Sequence, residues 1–129
     1  MRASIVWFRQ DLRLQDNPAL AAAIKRGKPV LPVFIWAPAE EGGWSPGAAS
    51  QWWLHHALQD LQALLRREGS RLLIEDAGTG SSLDTLLFLA RQSGADHVYW
   101  NRRYEPAAIA RDEQVSKQLS REGIRTESS

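Results

Sequence analysis

Apolar residues in this chain fall into short β-branched runs separated by longer stretches with helical spacing. The run at 3–8, closing on Val6-Trp7-Phe8, reads as a strand, and so do 30–36, 71–75, 97–100 and 124–127. Between them, helices are predicted over 18–26, 49–68, 83–92 and 107–122. Asn17 and Pro18 suit a cap and first turn, and Gly27, Gly69, Gly94 and Gly123 suit the stops. Pro29 and Pro32 predict irregular pairing at the start of the second strand. In the second helix Leu54, Leu58, Leu61 and Leu65, flanked by Trp53, Ala57 and Leu64, form one broad inward stripe. Trp52 falls on the opposite face with His56 and Gln59. Strict alternation of strand and helix implies an α/β domain: a parallel sheet with helices on both faces, in three layers.

Composition narrows the function. A chain of 129 residues, 43% hydrophobic, is one domain able to bury a core. Sixteen basic residues against fifteen acidic ones leave a net charge of +1 and no basic arm, so bulk charge does not draw it to nucleic acid. Absence of cysteine excludes disulfides, thiolate metal sites and a cysteine nucleophile. No apolar leader precedes the first strand and no apolar run could span a bilayer, so the cytoplasm is the expected compartment.

Candidate chemistry concentrates in two loops. After the first strand, Arg9, Asp11, Arg13 and Asp16 alternate in sign without a glycine, which suits an ion-pair latch better than a phosphate cradle. After the fourth strand come Asn101, Arg102, Arg103, Tyr104 and Glu105. Arg103 and Glu105 could hydrogen-bond a polar heteroaromatic ligand while Tyr104 and Trp36 offer flat faces; an ion-pair network sealing the surface is the competing reading. Trp52 is either a cover for the long 37–47 loop or a contact for a ligand or another domain. Adjacent His55 and His56 diverge on a helix, so no metal site is expected. Gly78-Thr79-Gly80-Ser81-Ser82 reads as a turn with a serine cap. No pairing of serine with a histidine base, and no buried carboxylate pair, points to catalysis within this chain.

Three segments carry a family resemblance. Trp7-Phe8-Arg9-Gln10-Asp11-Leu12-Arg13, followed by Asp16-Asn17-Pro18-Ala19-Leu20, resembles the amino-terminal signature of the DNA photolyase/cryptochrome family. The stretch from Phe34-Ile35-Trp36 through Gly42 to Trp52-Trp53-Leu54 is similar to the plant-cryptochrome-like branch with its class III photolyases. Trp100-Asn101-Arg102-Arg103-Tyr104-Glu105-Pro106 resembles the family's turn after the fourth strand.

The resemblance implies a Rossmann-like, doubly wound five-stranded sheet in the order 3-2-1-4-5, with a ligand crevice between strands one and four. It implies an antenna-chromophore-binding domain over residues 1–129. The helical FAD domain would lie outside the chain, which is then a fragment or isolated domain of a deoxyribodipyrimidine photolyase. In such a parent, reduced FAD splits cyclobutane pyrimidine dimers and damaged DNA is met only through the helical domain. The antenna-binding residues implied are Trp36, Glu40, Trp52, Asn101, Arg103, Tyr104 and Glu105. Arg9, Asp11, Arg13, Asp16 and Asn17 would shape the loop and dock the helical domain. Ala107 and Ala108 stand where folate-type members carry an acidic or amide pair, and Arg103 stands where deazaflavin types carry aspartate. The class III likeness nonetheless favours methenyltetrahydrofolate, in another pose, over deazaflavin or flavin. A blue-light-sensing cryptochrome domain is one alternative. A free-standing nucleotide-binding α/β module is another, and it would require the glycine-rich phosphate loop missing after the fourth strand.

Overall fold

In the computed structural model, which describes residues 2–9, 11–37, 48–78 and 80–129, all five residues of strand β1 (Ser4–Phe8) are buried. A strand covered on both faces requires this. Around it lie β2 (Val30–Trp36), β3 (Leu73–Asp76), β4 (His97–Trp100) and β5 (Arg125–Ser128). They form one sheet in the order β3-β2-β1-β4-β5, with every neighbouring pair parallel. Helices α1 (Pro18–Arg26), α2 (Ala48–Arg67), α3 (Ser82–Ser93) and α4 (Pro106–Arg121) complete the alternation. Both the doubly wound class and the strand order agree with expectation.

The strand period of two divides the core between the faces. Ile5, Trp7, Val33, Ile35, Val98 and Trp100 meet Leu86 and Leu89 of α3 and Val115 and Leu119 of α4. Val6, Phe8, Phe34 and Tyr99 meet Ala19, Leu20 and Ala23 of α1 and Leu61 and Leu65 of α2.

Pro32 sits inside β2 opposite Val6, and the ladder shows why it is tolerated. Ser4 N donates to Pro29 O at 2.8 Å, so odd-numbered peptide groups of β2 face β1 and those of Pro32 face away. β3 begins opposite Val33, so the missing N–H meets no partner strand. The pairing is regular rather than irregular. β3 itself starts later than the pattern suggests. Just before it, the outward-facing peptide groups of Leu72 are met by a side chain of α2: Leu72 N donates to Gln62 Oε1 at 2.7 Å and Leu72 O accepts from Gln62 Nε2 at 3.1 Å.

The broad stripe expected on α2 is narrower. Leu61 and Leu65 are buried and Leu54, Ala57 and Leu58 half-buried, but Trp53 and Leu64 are exposed. Each of the last two precedes an inward leucine by one residue, about 100° around the helix, and so points past the sheet. The turn before α3 forms as read: Asp76 Oδ1 accepts from Gly78 N at 2.8 Å and Ser81 Oγ from Asp84 N at 3.1 Å. No described helix is long and apolar enough to cross a membrane.

Candidate functional site: a latched crevice at the carboxyl edge of the sheet

β1 and β4 are neighbours, and the connections leaving them run to opposite sides of the sheet. Such a reversal opens a crevice beyond the carboxyl ends of the strands. Here the loop at 9–17 faces the loop at 101–105 across it. The space is about 620 Å³ and is lined by Arg9, Asp11, Arg13 and residues 101–105.

The first loop is held by its own polar groups. Asp11 Oδ1 accepts from Arg9 N at 2.9 Å, and Arg13 Nε and Nη2 donate to Asp16 O at 3.1 and 3.0 Å. Asp16 takes the left-handed conformation (φ 50°) that a short polar side chain tolerates, turning the chain into α1. Buried Asn17 then caps the helix, its Oδ1 accepting from Leu20 N at 3.1 Å while its Nδ2 donates to Arg13 O at 2.9 Å.

The two loops are then joined. Asn101 Nδ2 donates both to Asp11 Oδ2 and to Asn17 Oδ1, the latter at 2.7 Å. Its Oδ1 accepts from Ala19 N at 2.9 Å. Arg9 donates through Nη2 to Asn101 O and through Nη1 to Asp112 Oδ1 of α4, the latter at 2.7 Å. The Arg9 and Asp112 side chains are only 9% and 13% exposed, so this is a largely desolvated ion pair. The guanidinium also lies 4.7 Å from the Trp7 ring centre, a cation–π contact, and Trp7 meets Trp100 edge-on at 5.6 Å. The alternating charges of the first loop thus form a latch.

The opposite wall is more open. Tyr104 is 82% exposed and presents a free ring face. Arg103 Nε is buried without a hydrogen bond, with Glu105 Oε2 3.3 Å away in poor bonding geometry. The backbone of Glu105 and then the charge of Arg103 hold the Glu105 carboxyl below its ordinary value, so it stays ionised at neutral pH.

Of the residues assigned to chromophore binding, Asn101, Arg103, Tyr104 and Glu105 gather at the crevice. The Asn101 amide is engaged in the latch. Trp36 ends β2 at the same edge, but packs half-buried against the face covered by α1 and α2. Trp52 is exposed on α2, its ring 4.2 Å from that of His56. Glu40 lies outside the described residues. Of the loop motif, Arg9, Asp11 and Arg13 line the crevice, while Asp16 and Asn17 sit behind it at the start of α1. The His55 and His56 rings meet edge to face at 5.8 Å, and the described residues contain no metal-ligating group of three.

Sequence reasoning missed Asp112. A signal was present: Ala108, Asp112, Val115 and Leu119 follow one helical stripe, and Ala108, Val115 and Leu119 are buried. An acid on an inward stripe requires a buried partner.

Fold and crevice together define a doubly wound α/β domain with a polar cleft at its β1/β4 reversal. Residues 4–129 match the family model described as DNA photolyase, and the chain belongs to that family. It is 43% identical over 121 residues to Cryptochrome-1 of Arabidopsis thaliana, covering 94% of this chain and 17% of that protein. It is equally 43% identical over 120 residues to the deoxyribodipyrimidine photo-lyase of Agrobacterium fabrum, covering 93% of this chain and 24% of the other. The crystal structure of a class III photolyase from Agrobacterium tumefaciens superposes with a TM-score of 0.88 at 41% identity, over 98% of this chain and 25% of that one. An archaeal photolyase from Sulfolobus tokodaii, described as carrying two FAD molecules and implying a novel light-harvesting cofactor, gives 0.74 at 28% identity, over 98% and 28% of the two chains. The chain therefore spans between 17% and 28% of the length of these relatives.

Proposed function

We propose that residues 1–129 are the antenna-chromophore-binding domain of a DNA photolyase. The FAD-binding helical domain and the contacts to damaged DNA would belong to the remainder of a longer parent chain. The observation that carries this reading is the crevice at the β1/β4 reversal, with an open tyrosine face beside a buried arginine N–H that has no hydrogen bond, its charge faced by Glu105. Those two features suit a flat group with hydrogen-bond acceptors, as a folate or flavin is. The light-harvesting cofactor named for the archaeal relative is consistent with it.

A chromophore held here would supply near-UV or blue absorption for excitation of an FAD held by the remainder of the parent chain. The protein's part is binding and orientation. Tyr104 stacks, Arg103 donates to a ring carbonyl, and the latch through Arg9, Asp11, Asn17, Asn101 and Asp112 fixes the loops that carry them. By likeness to class III photolyases, methenyltetrahydrofolate is the favoured ligand over deazaflavin or flavin. Arg9, Asp11, Arg13, Asp16 and Asn17 then set the surface on which the helical domain docks. A cryptochrome parent is the second reading, favoured by equal identity to a plant cryptochrome.

The test is titration of the chain with methenyltetrahydrofolate, a deazaflavin and FMN, read by absorption and tryptophan quenching. Saturable binding of the folate is expected, weakened about tenfold or more by Tyr104→Ala and by Arg103→Ala without loss of folding. Unchanged affinity in both variants would place the chromophore elsewhere. Repair of a cyclobutane dimer by the parent chain in light separates photolyase from cryptochrome.

A further inference from the structure

On the outer side of the second loop, sharing Arg102, Arg103 and Tyr104 with the crevice, lies a second groove of about 500 Å³ between α4 and the ends of β4 and β5. Its wall includes Trp100, which is 98% buried and whose indole N–H has no hydrogen-bond partner among the described residues. A buried donor left in this state is costly, and proteins rarely keep one. Close by, Ser116 Oγ and Thr126 Oγ1 stand 2.6 Å apart. Two hydroxyls in mutual contact use one hydrogen between them, so the pair retains a second to donate. Arg102 adds a cationic side chain, its Nε bonded to Ser128 Oγ at 3.2 Å. Asp112 borders the groove, but its charge is taken by Arg9, which leaves Glu113 as the opposing carboxylate on the rim. Apolar surface comes from Ile109, 43% exposed, and from the Tyr104 ring.

We propose that this groove is a second binding site, for a small organic carboxylate whose oxygens accept from the Trp100 indole and the Ser116/Thr126 hydroxyls while its apolar body lies along Ile109 and Tyr104. An indole N–H can only donate, so the occupant must bring an acceptor. Hydroxyl and guanidinium neighbours favour an anionic one. The proposal rests on the groove and not on the photolyase reading.

Benzoate is a suitable probe, with benzamide as its uncharged counterpart. In the ¹⁵N-labelled chain the six tryptophans give six indole N–H signals, of which that of Trp100 is assigned by through-bond correlation. Benzoate should move the Trp100 signal saturably, and benzamide should move it far less. Thr126→Val and Ser116→Ala, which remove groove hydroxyls without opening the core, should each weaken binding about tenfold, the loss of one hydrogen bond. Glu113→Gln should tighten it about two- to threefold by removing the opposing charge. A Trp100 signal that stays still at tens of millimolar benzoate would overturn the proposal. So would one that moves equally with benzamide, or with unchanged affinity in both hydroxyl variants. Ser116 and Thr126 line the groove and not the crevice, so their variants test the groove alone, while chromophore binding is read by absorption.

Discussion

At the amino end of the sheet, Arg26 Nη1 donates to the buried Ser4 Oγ at 2.8 Å and Nη2 to Asp96 Oδ1 at 2.7 Å. His97 Nδ1 stands 3.5 Å from the same carboxyl oxygen. Burial pushes the Asp96 carboxyl up, but the hydrogen bond and charge of Arg26, with His97 close by, outweigh it and hold the group below its ordinary value. A carboxyl more acidic folded than unfolded contributes stability that is complete above its unfolded value and lost as pH falls through the folded one. The cluster should therefore hold at neutral pH and weaken below about pH 4. Asp96→Asn should lower the melting temperature at pH 7 and flatten its fall between pH 5 and the acid limit, followed by circular dichroism. Melting curves that run parallel to the parent's through that range would remove Asp96 from the acid transition.

Among the elements, α2 carries the sharpest contrast between sequence pattern and burial. Leu61 and Leu65 are at most 4% exposed, whereas Trp52 and Trp53 are 65% and 55% exposed. Size does not decide which residue matters to stability; angular position on the helix does. Leu61→Ala should cost about 2–5 kcal/mol in urea unfolding, since it opens a cavity against the sheet. Trp52→Ala should stay within about 0.5 kcal/mol, the range of surface changes. A loss near 3 kcal/mol at Trp52 would place it in a packed environment, the scale of a buried aromatic truncation.

Across the whole molecule, the pair Arg9–Asp112 ties the loop after β1 to α4 over 103 positions of sequence. The contact closes the α3/α4 side of the sheet against the β1 loop, and Trp7 and Trp100 pack beneath it. Removing one partner leaves a charge in a desolvated place, so Arg9→Met or Asp112→Leu alone should cost about 3 kcal/mol. The double variant should cost well under the sum, giving a coupling above about 1 kcal/mol in a double-mutant cycle. Additive losses would show that the two side chains contribute separately and that the latch is not a unit.

The sequence by itself determined the element order, the helix caps at Asn17 and Ser81, and the parallel class of the sheet. All of these follow from short-range rules: a period of two or 3.6, a capping oxygen, a glycine after the last turn. The motif of residues 7–20 was equally legible, including its alternating charges. Only the tertiary structure decided what those charges meet. Asn101 read as a ligand contact because nothing local shows that β4 delivers its amide beside Asp11 and Asn17, more than 80 positions earlier. Asp112 and the unpartnered indole of Trp100 depend in the same way on which strands become neighbours. Periodicity says that a side chain faces inward. Only strand order and register, settled by burying the whole sheet at once, say what is waiting there.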